Sequence, residues 1–313
     1  MIQKFKRMVD TFLKNRIQTE VTNQLDKFLP ILPQLIDFYN SSPKERQSFY
    51  DHTKTPTQNI AYYENLKNQF IELGIPVEER NIDIDDFKKW LDEFSKLKIF
   101  YSQAGDVFIE KCLEHYLSYI VLDIAKNDVY IDIAAAGSPW AEILKEKNSE
   151  LITYRLDLSY PPGIHGINIG ANAGKTFLPD GFASVLSAQC AYECFMGESD
   201  IQFLKEARRI LMDGGRFGII PLYIDDTYYI ASSPYCDQRD ILFDSGAKKI
   251  WRDDNYREPF SRHYSPMSFK SRIWTAIPEG IEAKIIFFKN LNEITECFPG
   301  QRIYCYFMFY CKI

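Results

Sequence analysis

The chain has 313 residues, 46% apolar, 26% charged and 15% aromatic, which excludes a disordered tail or a coiled coil and, at about 150 residues per domain, suggests roughly two units. Its 37 basic and 43 acidic residues leave a formal net charge of −6, which argues against a nucleic-acid surface as its main business. No apolar run approaches the about 18 residues that a membrane helix needs, the opening MIQKFKRMVDTFLKNR is not a secretory signal, and seven cysteines without a CxxC pair read as reduced, cytosolic thiols.

Along the chain, helices come first. Phe5, Met8, Phe12, Val21, Leu25 and Phe28 recur at helical intervals. Ser42-Pro43-Lys44-Glu45 is a capping box with proline at the first helical position, so a helix is expected to start there. Residues 57–73, stopped by Gly74 and Pro76, predict another. Two more stripes follow, Phe87-Trp90-Leu91-Phe94-Leu97 and Phe108-Cys112-Leu113-Tyr116-Leu117-Ile120. Residues 1–101 are therefore expected to form a helical cap region. The basic cluster Lys4, Lys6, Arg7, Lys14 and Arg16 reads as its solvated face.

The pattern changes at Asn127. VYIDIAAAGSPW (129–140) is a short strand broken by small residues, and AEILKEK continues as a helix. LITYRLDLSYPPG (151–163) and FASVLSAQ (182–189) are two further strands, SDIQFLKEARRILMDGG (199–215) is a helix closed by glycines, and RFGIIPLYI (216–224) is a buried strand. Strands separated by helices predict a parallel sheet covered on both faces. A short helix is expected near 265–276. EAKIIFFKN and RIYCYFMFYCKI then read as an antiparallel pair at the sheet edge, joined by a Pro-Gly turn.

Such a sheet binds its ligand beyond the carboxyl ends of its strands, where strand order reverses. The first strand ends at Ile133, before a loop of Ala-Ala-Ala-Gly-Ser whose small side chains let backbone approach a ligand. The second ends at Asp157, where a carboxylate can accept both hydroxyls of a ribose. The amide of Asn172 in GANAG can read a purine edge. Gln189 to Cys194 follow the third strand at the same rim. The four histidines are at no metal-ligand spacing, so no metal site is expected.

From Val129 to about Tyr223 the chain resembles class I S-adenosylmethionine-dependent methyltransferases, and SPW, YECF, DLSYPPG and FSRHY are similar to a bacterial branch of that family. The most specific match is FLKEARRILMDGGRFGIIPL, similar to the family's helix-turn-strand. The resemblance implies a Rossmann-like seven-stranded α/β sheet, mostly parallel with an antiparallel final strand, over residues 102–313, with an insertion at about 225–264. S-adenosyl-L-methionine is the implied cofactor. Asp132 would lie near its methionine amino group, Ala134, Ala136, Gly137 and Ser138 would form the loop beneath the methionine part, Asp157 would hold the ribose, Asn172 and Ala173 would meet the adenine, and Gln189 would lie by the sulfonium. The family's three first-motif glycines are replaced here by Ala134, Ala136 and Ser138, and its common acidic residue in the adenine loop by Asn172.

His263, Glu193 and His165 are the candidates for a general base, with the alternative for each a structural role. Tyr192 and Tyr264 are candidate pocket walls. The helical cap is expected to cover the carboxyl edge of the sheet, and the insertion to supply the other wall. The expected function is O-methylation of a small or peptidic metabolite, as in secondary metabolism, by a cytoplasmic enzyme without nucleic-acid or membrane partners and compatible with a homodimer. The alternatives are a catalytically degenerate binding subunit of the same fold and a nicotinamide oxidoreductase, whose GxGxxG turn the chain lacks.

Overall fold

A computed structural model describes residues 14, 16, 18–23, 29–47, 56–253 and 257–313. The chain runs through α1 (Leu32–Asn40), a 3-10 turn at Pro43–Glu45, β1 (Arg46–Gln47), α2 (Pro56–Glu72), β2 (Val77–Arg80), α3 (Ile84–Glu93), α4 (Ser95–Tyr101) and α5 (Phe108–Val121). The alternating part follows, with β3 (Val129–Ile133), α6 (Trp140–Lys147), β4 (Ile152–His165), β5 (Asn168–Gly170), β6 (Ala183–Gln189), α7 (Ser199–Ile210) and β7 (Leu211–Ile220). The last part holds β8 (Tyr229–Ser232), β9 (Lys248–Arg252), β10 (Ser261–His263), α8 (Pro266–Arg272), β11 (Glu282–Phe288), α9 (Leu291–Cys297) and β12 (Phe307–Lys312).

Eight strands form the main sheet in the order β2-β11-β12-β7-β6-β3-β4-β5. β3 lies parallel to both β4 and β6, and β7 parallel to β6. β12 is inserted antiparallel between β7 and β11. Tyr130, Ile131 and Ile133 of β3 and Val185 and Leu186 of β6 are all buried, as expected of central parallel strands covered on both faces. Strand order reverses at β3, which puts the crevice beyond its carboxyl end, between the loops after β3 and β6. The segment after Asp157 folds back over β5, so that Ile164 and His165 align with Ile169 and Asn168. Gly170 lies under that crossing: a Cβ there would stand 1.9 Å from the carbonyl oxygen of Pro161.

A second sheet, β1-β9-β8-β10, takes three strands from the 225–264 insertion and β1 from the N-terminal region. Trp251 of β9 donates to Asp37 of α1 at 3.0 Å, which ties α1 to the insertion.

Several expectations change. The capping box at Ser42 forms with Glu45, but it closes a single 3-10 turn that leads into β1 rather than a longer helix. The region before residue 102 is not only helical: Val77–Arg80 adds to the sheet parallel to β11, making eight strands where seven were expected. A strand of sequence VEER carries no apolar alternation, and its charges are met by neighbours, Glu78 by Lys284 and Glu79 by Lys67, each at 2.6 Å. The C-terminal pair is antiparallel as expected, yet α9 separates its strands and β2 lies outside it. The helix ending at Glu72 stops as expected, with Gly74 at φ 72°. Of the first apolar stripe, Val21 is exposed; Phe5, Met8, Phe12, Leu25 and Phe28 lie outside the described residues, as do Lys4, Lys6 and Arg7. One hydrophobic core runs from Tyr63 and Phe70, through Trp90 and Leu117, to Ile131 and Phe309, so the boundary at 101/102 does not divide two cores.

Candidate functional site

The loop after β3 keeps a glycine-type backbone on alanine. Ala134 has φ 54° and Ala136 φ 44°, the left-handed region that L-residues with a Cβ adopt at a cost of about 1–3 kcal/mol each. Backbone strain of this kind persists only where surrounding bonds hold it. Here the N–H of Ala136 donates to Asp157 Oδ2 at 2.9 Å, and its carbonyl accepts from the hydroxyl of Tyr160. Asp157 Oδ1 accepts from the N–H of Ser159 at 2.8 Å. Cys190, at the end of β6, is also left-handed, with φ 49°.

Beside this loop opens a cavity of about 330 Å³, lined among others by Ala134, Leu156, Asp157, Asn172, Ala173 and Phe195. Asn172 accepts from the N–H of Gly174 at 2.8 Å through its own side-chain oxygen, which fixes the turn that carries it and leaves its amide nitrogen for other contacts. Asp132, at the carboxyl end of β3, is buried, and its Oδ2 has no hydrogen-bond partner. Burial pushes its carboxyl up to about 8, against a lowering interaction with the Ser138 hydroxyl. Gln189 donates to Ser187 Oγ at 2.8 Å, while its own buried Oε1 is unpartnered. Ser138 lies half-buried below the loop, and Gly137 is exposed.

A second cavity, of about 360 Å³, adjoins the first: Cys190 and Cys194 line both. Glu193 and His263 line it. Glu193 is 8% exposed, its Oε2 lacks a partner, and burial pushes its carboxyl up to about 7. His263 stacks on Tyr229 with ring centroids 4.5 Å apart and lies 3.2 Å through Nε2 from Ser261 Oγ. Burial pushes the thiol of Cys190 above the ordinary range, so it is a protonated wall rather than a nucleophile, while Cys194 is exposed.

Three expectations fail here. His165 is exposed on the folded-back edge of β4, bonded to its own turn at Pro162, and lines neither cavity. Tyr192 and Tyr264 do not wall the site; they are buried behind it, donating to the backbone and to the carboxylate of Asp200. The wall expected from residues 1–101 is instead built by Ala104, Asp106, Val107 and Lys111, just beyond that region. The insertion lines the second cavity through Arg252, Glu258, Ser261 and His263.

Spacing in the sequence did not reveal the buried clamp beneath the site. Arg262, fully buried, reaches Asp244 at 2.6 Å and Asp200 at 2.9 Å, and donates to the carbonyl of Gly197 at 2.9 Å. It thereby fastens the insertion to the 195–199 loop that floors the first cavity. The FSRHY motif was the available signal, and its arginine makes the buried ion pairs between elements.

The strand order, with an antiparallel strand inserted beside β7 and a ligand crevice at the reversal point, is that of the class I methyltransferase fold. No family model matches the chain, and no curated protein matches it. Solved structures do. A methyltransferase described as belonging to an antibiotic biosynthesis pathway of Anabaena variabilis is 20% identical over 34% of this chain and 43% of its own, with a TM-score of 0.29; this chain thus spans under half of that relative. An S-adenosylmethionine-dependent methyltransferase of Mesorhizobium loti is 13% identical over 63% and 97%, with a TM-score of 0.40. The 1,6-didemethyltoxoflavin-N1-methyltransferase of Burkholderia thailandensis, solved with 1,6-didemethyltoxoflavin and S-adenosylhomocysteine, is 13% identical over 76% and 92%, with a TM-score of 0.39. Strand order and register, rather than these distant likenesses, define the fold. Among the described residues no helix is long and apolar enough to cross a membrane, and no cluster of three His, Cys, Asp or Glu could hold a metal ion.

Proposed function

We propose that the chain transfers a methyl group from S-adenosylmethionine to a small or peptidic metabolite, with oxygen the favoured acceptor atom. The observation that carries this reading is the junction of two cavities at Cys190 and Cys194, one bounded by Ala134, Asp157, Asn172 and Ala173, the other by Glu193. Cavities of this size suit small molecules rather than a folded protein surface.

The residues present fit the cofactor. The orphaned Oδ2 of Asp132 suits its amino group. The left-handed loop would lie beneath the methionine part, Asp157 would hold the ribose, Asn172 and Ala173 would meet the adenine, and Gln189 would lie by the sulfonium end. Bound there, S-adenosylmethionine supplies a methyl on a positively charged sulfur, which keeps the bonding pair when the methyl leaves. The remaining work falls to the chain's own groups. Holding the acceptor in line supplies most of the effect. Glu193 takes the proton of the attacking hydroxyl as the new oxygen–carbon bond forms; a carboxyl raised to about 7 is matched to that task at neutral pH. His263 forms part of the acceptor wall. His165, outside both cavities, has no role in this reading.

A non-catalytic subunit of the same fold would have no need to keep two alanines left-handed or a buried carboxylate unpaired, and both features favour the enzyme. A cytosolic location belongs to the same proposal, supported by all seven cysteines being free thiols. Calorimetric titration of the full chain with S-adenosylhomocysteine tests it, with micromolar binding expected. Incubation with S-adenosylmethionine and a metabolite extract should yield a product one methylene heavier, and Glu193→Gln should remove the limb of the pH–rate profile near neutrality. Absence of binding would return the non-catalytic reading.

A further inference from the structure

The second cavity carries more charge than methyl transfer alone requires. Lys111, Arg252 and Arg302 stand around it together with Asp106, Glu193 and Glu258. Lys111 is held by Glu114 at 2.8 Å, one turn along α5, with side-chain exposures of 18% and 1%. An ammonium has three donors, and the ion pair with Glu114 directs only part of that capacity. Burial opposes the charge on Lys111, while the Glu114 carboxylate at 2.8 Å favours it, so Lys111 is held as a cation rather than serving as a base. The Lys111 ammonium and the Arg302 guanidinium both lie within 6 Å of the Tyr304 ring, at 5.9 and 5.8 Å. The N–H of Arg302 is anchored to the carbonyl of Asp106 at 2.6 Å.

The same wall is flat and aromatic. Tyr304 stacks on Tyr223 at 6.2 Å and 24°, and Tyr223 lies 4.9 Å from the His263 ring. Opposite charges in one small cavity, a cationic pair at one aromatic ring and an unpartnered Glu193 oxygen together describe a ligand with an anionic group, a planar body and a protonated nucleophile. A phosphate ester fits less well, because its second negative charge would face Glu193 and Glu258. A ligand that is only cationic would leave Lys111 and Arg302 facing like charge.

We propose that the acceptor is a small planar carboxylate whose carboxylate group is held by Lys111 and Arg302 while its nucleophilic heteroatom faces Glu193. This rests on the methyl-transfer reading and narrows its substrate class. The test uses the full chain and four matched probes, titrated with and without S-adenosylhomocysteine: 3-(4-hydroxyphenyl)propionate, tyrosine, tyramine and 4-ethylphenol. The two carboxylates should bind at least about tenfold more tightly than the other two. Lys111→Met, and separately Arg302→Leu, should narrow that gap in variants whose thermal unfolding shows them to be folded. Equal or tighter binding of tyramine or 4-ethylphenol to the unmodified chain, or no measurable binding of any probe, would overturn the proposal. The wild-type comparison decides even if both variants fail to fold. Binding of S-adenosylhomocysteine without a preference for the acids sinks this inference alone. A preference for the acids without such binding sinks the methyl-transfer reading instead.

Discussion

The carboxylate of Asp157 accepts from the backbone N–H of Ala136 at 2.9 Å, so the group proposed to hold a ribose also holds the strained loop beside it. Replacing it therefore removes two interactions at once. Asp157→Ala should weaken S-adenosylhomocysteine binding by about 1.5–3 kcal/mol, the scale of one lost charged hydrogen bond, and should also lower the melting temperature. Unchanged calorimetric affinity in a folded variant would mean that Asp157 serves the loop alone.

Ala134 and Ala136 occupy φ values that glycine adopts freely. Glycine at either position relieves the Cβ strain but adds unfolded-state entropy of about 0.5–1 kcal/mol. Ala134→Gly and Ala136→Gly should therefore leave stability unchanged or raised by up to about 1 kcal/mol, and cofactor affinity equal or improved. Urea unfolding and calorimetry measure both; a large loss in either would show that the methyl groups make contacts worth more than the strain.

Asp132 makes stability depend on pH. Its folded-state value, about 8 through burial, stands above the unfolded value of about 4. The folded protein thus holds a proton that the unfolded chain releases. The stability this confers is fully present below about pH 4 and is lost as pH rises towards 8. Buried Glu193, raised to about 7, acts in the same direction. Asp132→Asn should shrink the drop in melting temperature between about pH 5 and pH 8. The same drop in the variant as in the wild type would mean that Asp132 does not titrate in that window.

Arg262 is enclosed with Asp200 and Asp244. Arg262→Met leaves Asp200 with Arg272 at 2.7 Å and Asp244 with the Tyr228 hydroxyl, so the loss should fall towards the lower end of the about 3–5 kcal/mol typical of a broken buried pair. Because the clamp also fastens the 195–199 loop, S-adenosylhomocysteine affinity should fall with stability. Denaturant unfolding that shows no loss would remove the clamp from the account.

Local features were legible in the chain itself. Short apolar runs punctuated by small residues located β3, β4, β6 and the second half of β7, because a buried parallel strand requires such a run; β7 itself begins at Leu211, inside the stretch expected to be helical. Ala134, Asp157, Asn172 and Ala173 then fell at strand ends or in the following loops, and strand ends are where this kind of sheet opens its crevice. Tertiary structure alone decided the rest. VEER becomes a strand only because the backbone of β11 offers it partners. Lys111, Glu193, His263 and Tyr304 meet around one cavity although they come from α5, the turn after β6, β10 and the segment before β12. No spacing in the chain records such a meeting, since it depends on where the folded sheet brings distant segments together. Burial made the same distinction between residues of one type: His165 and His263 look alike in sequence, and only the packing around them leaves one in solvent and sets the other in a cavity wall.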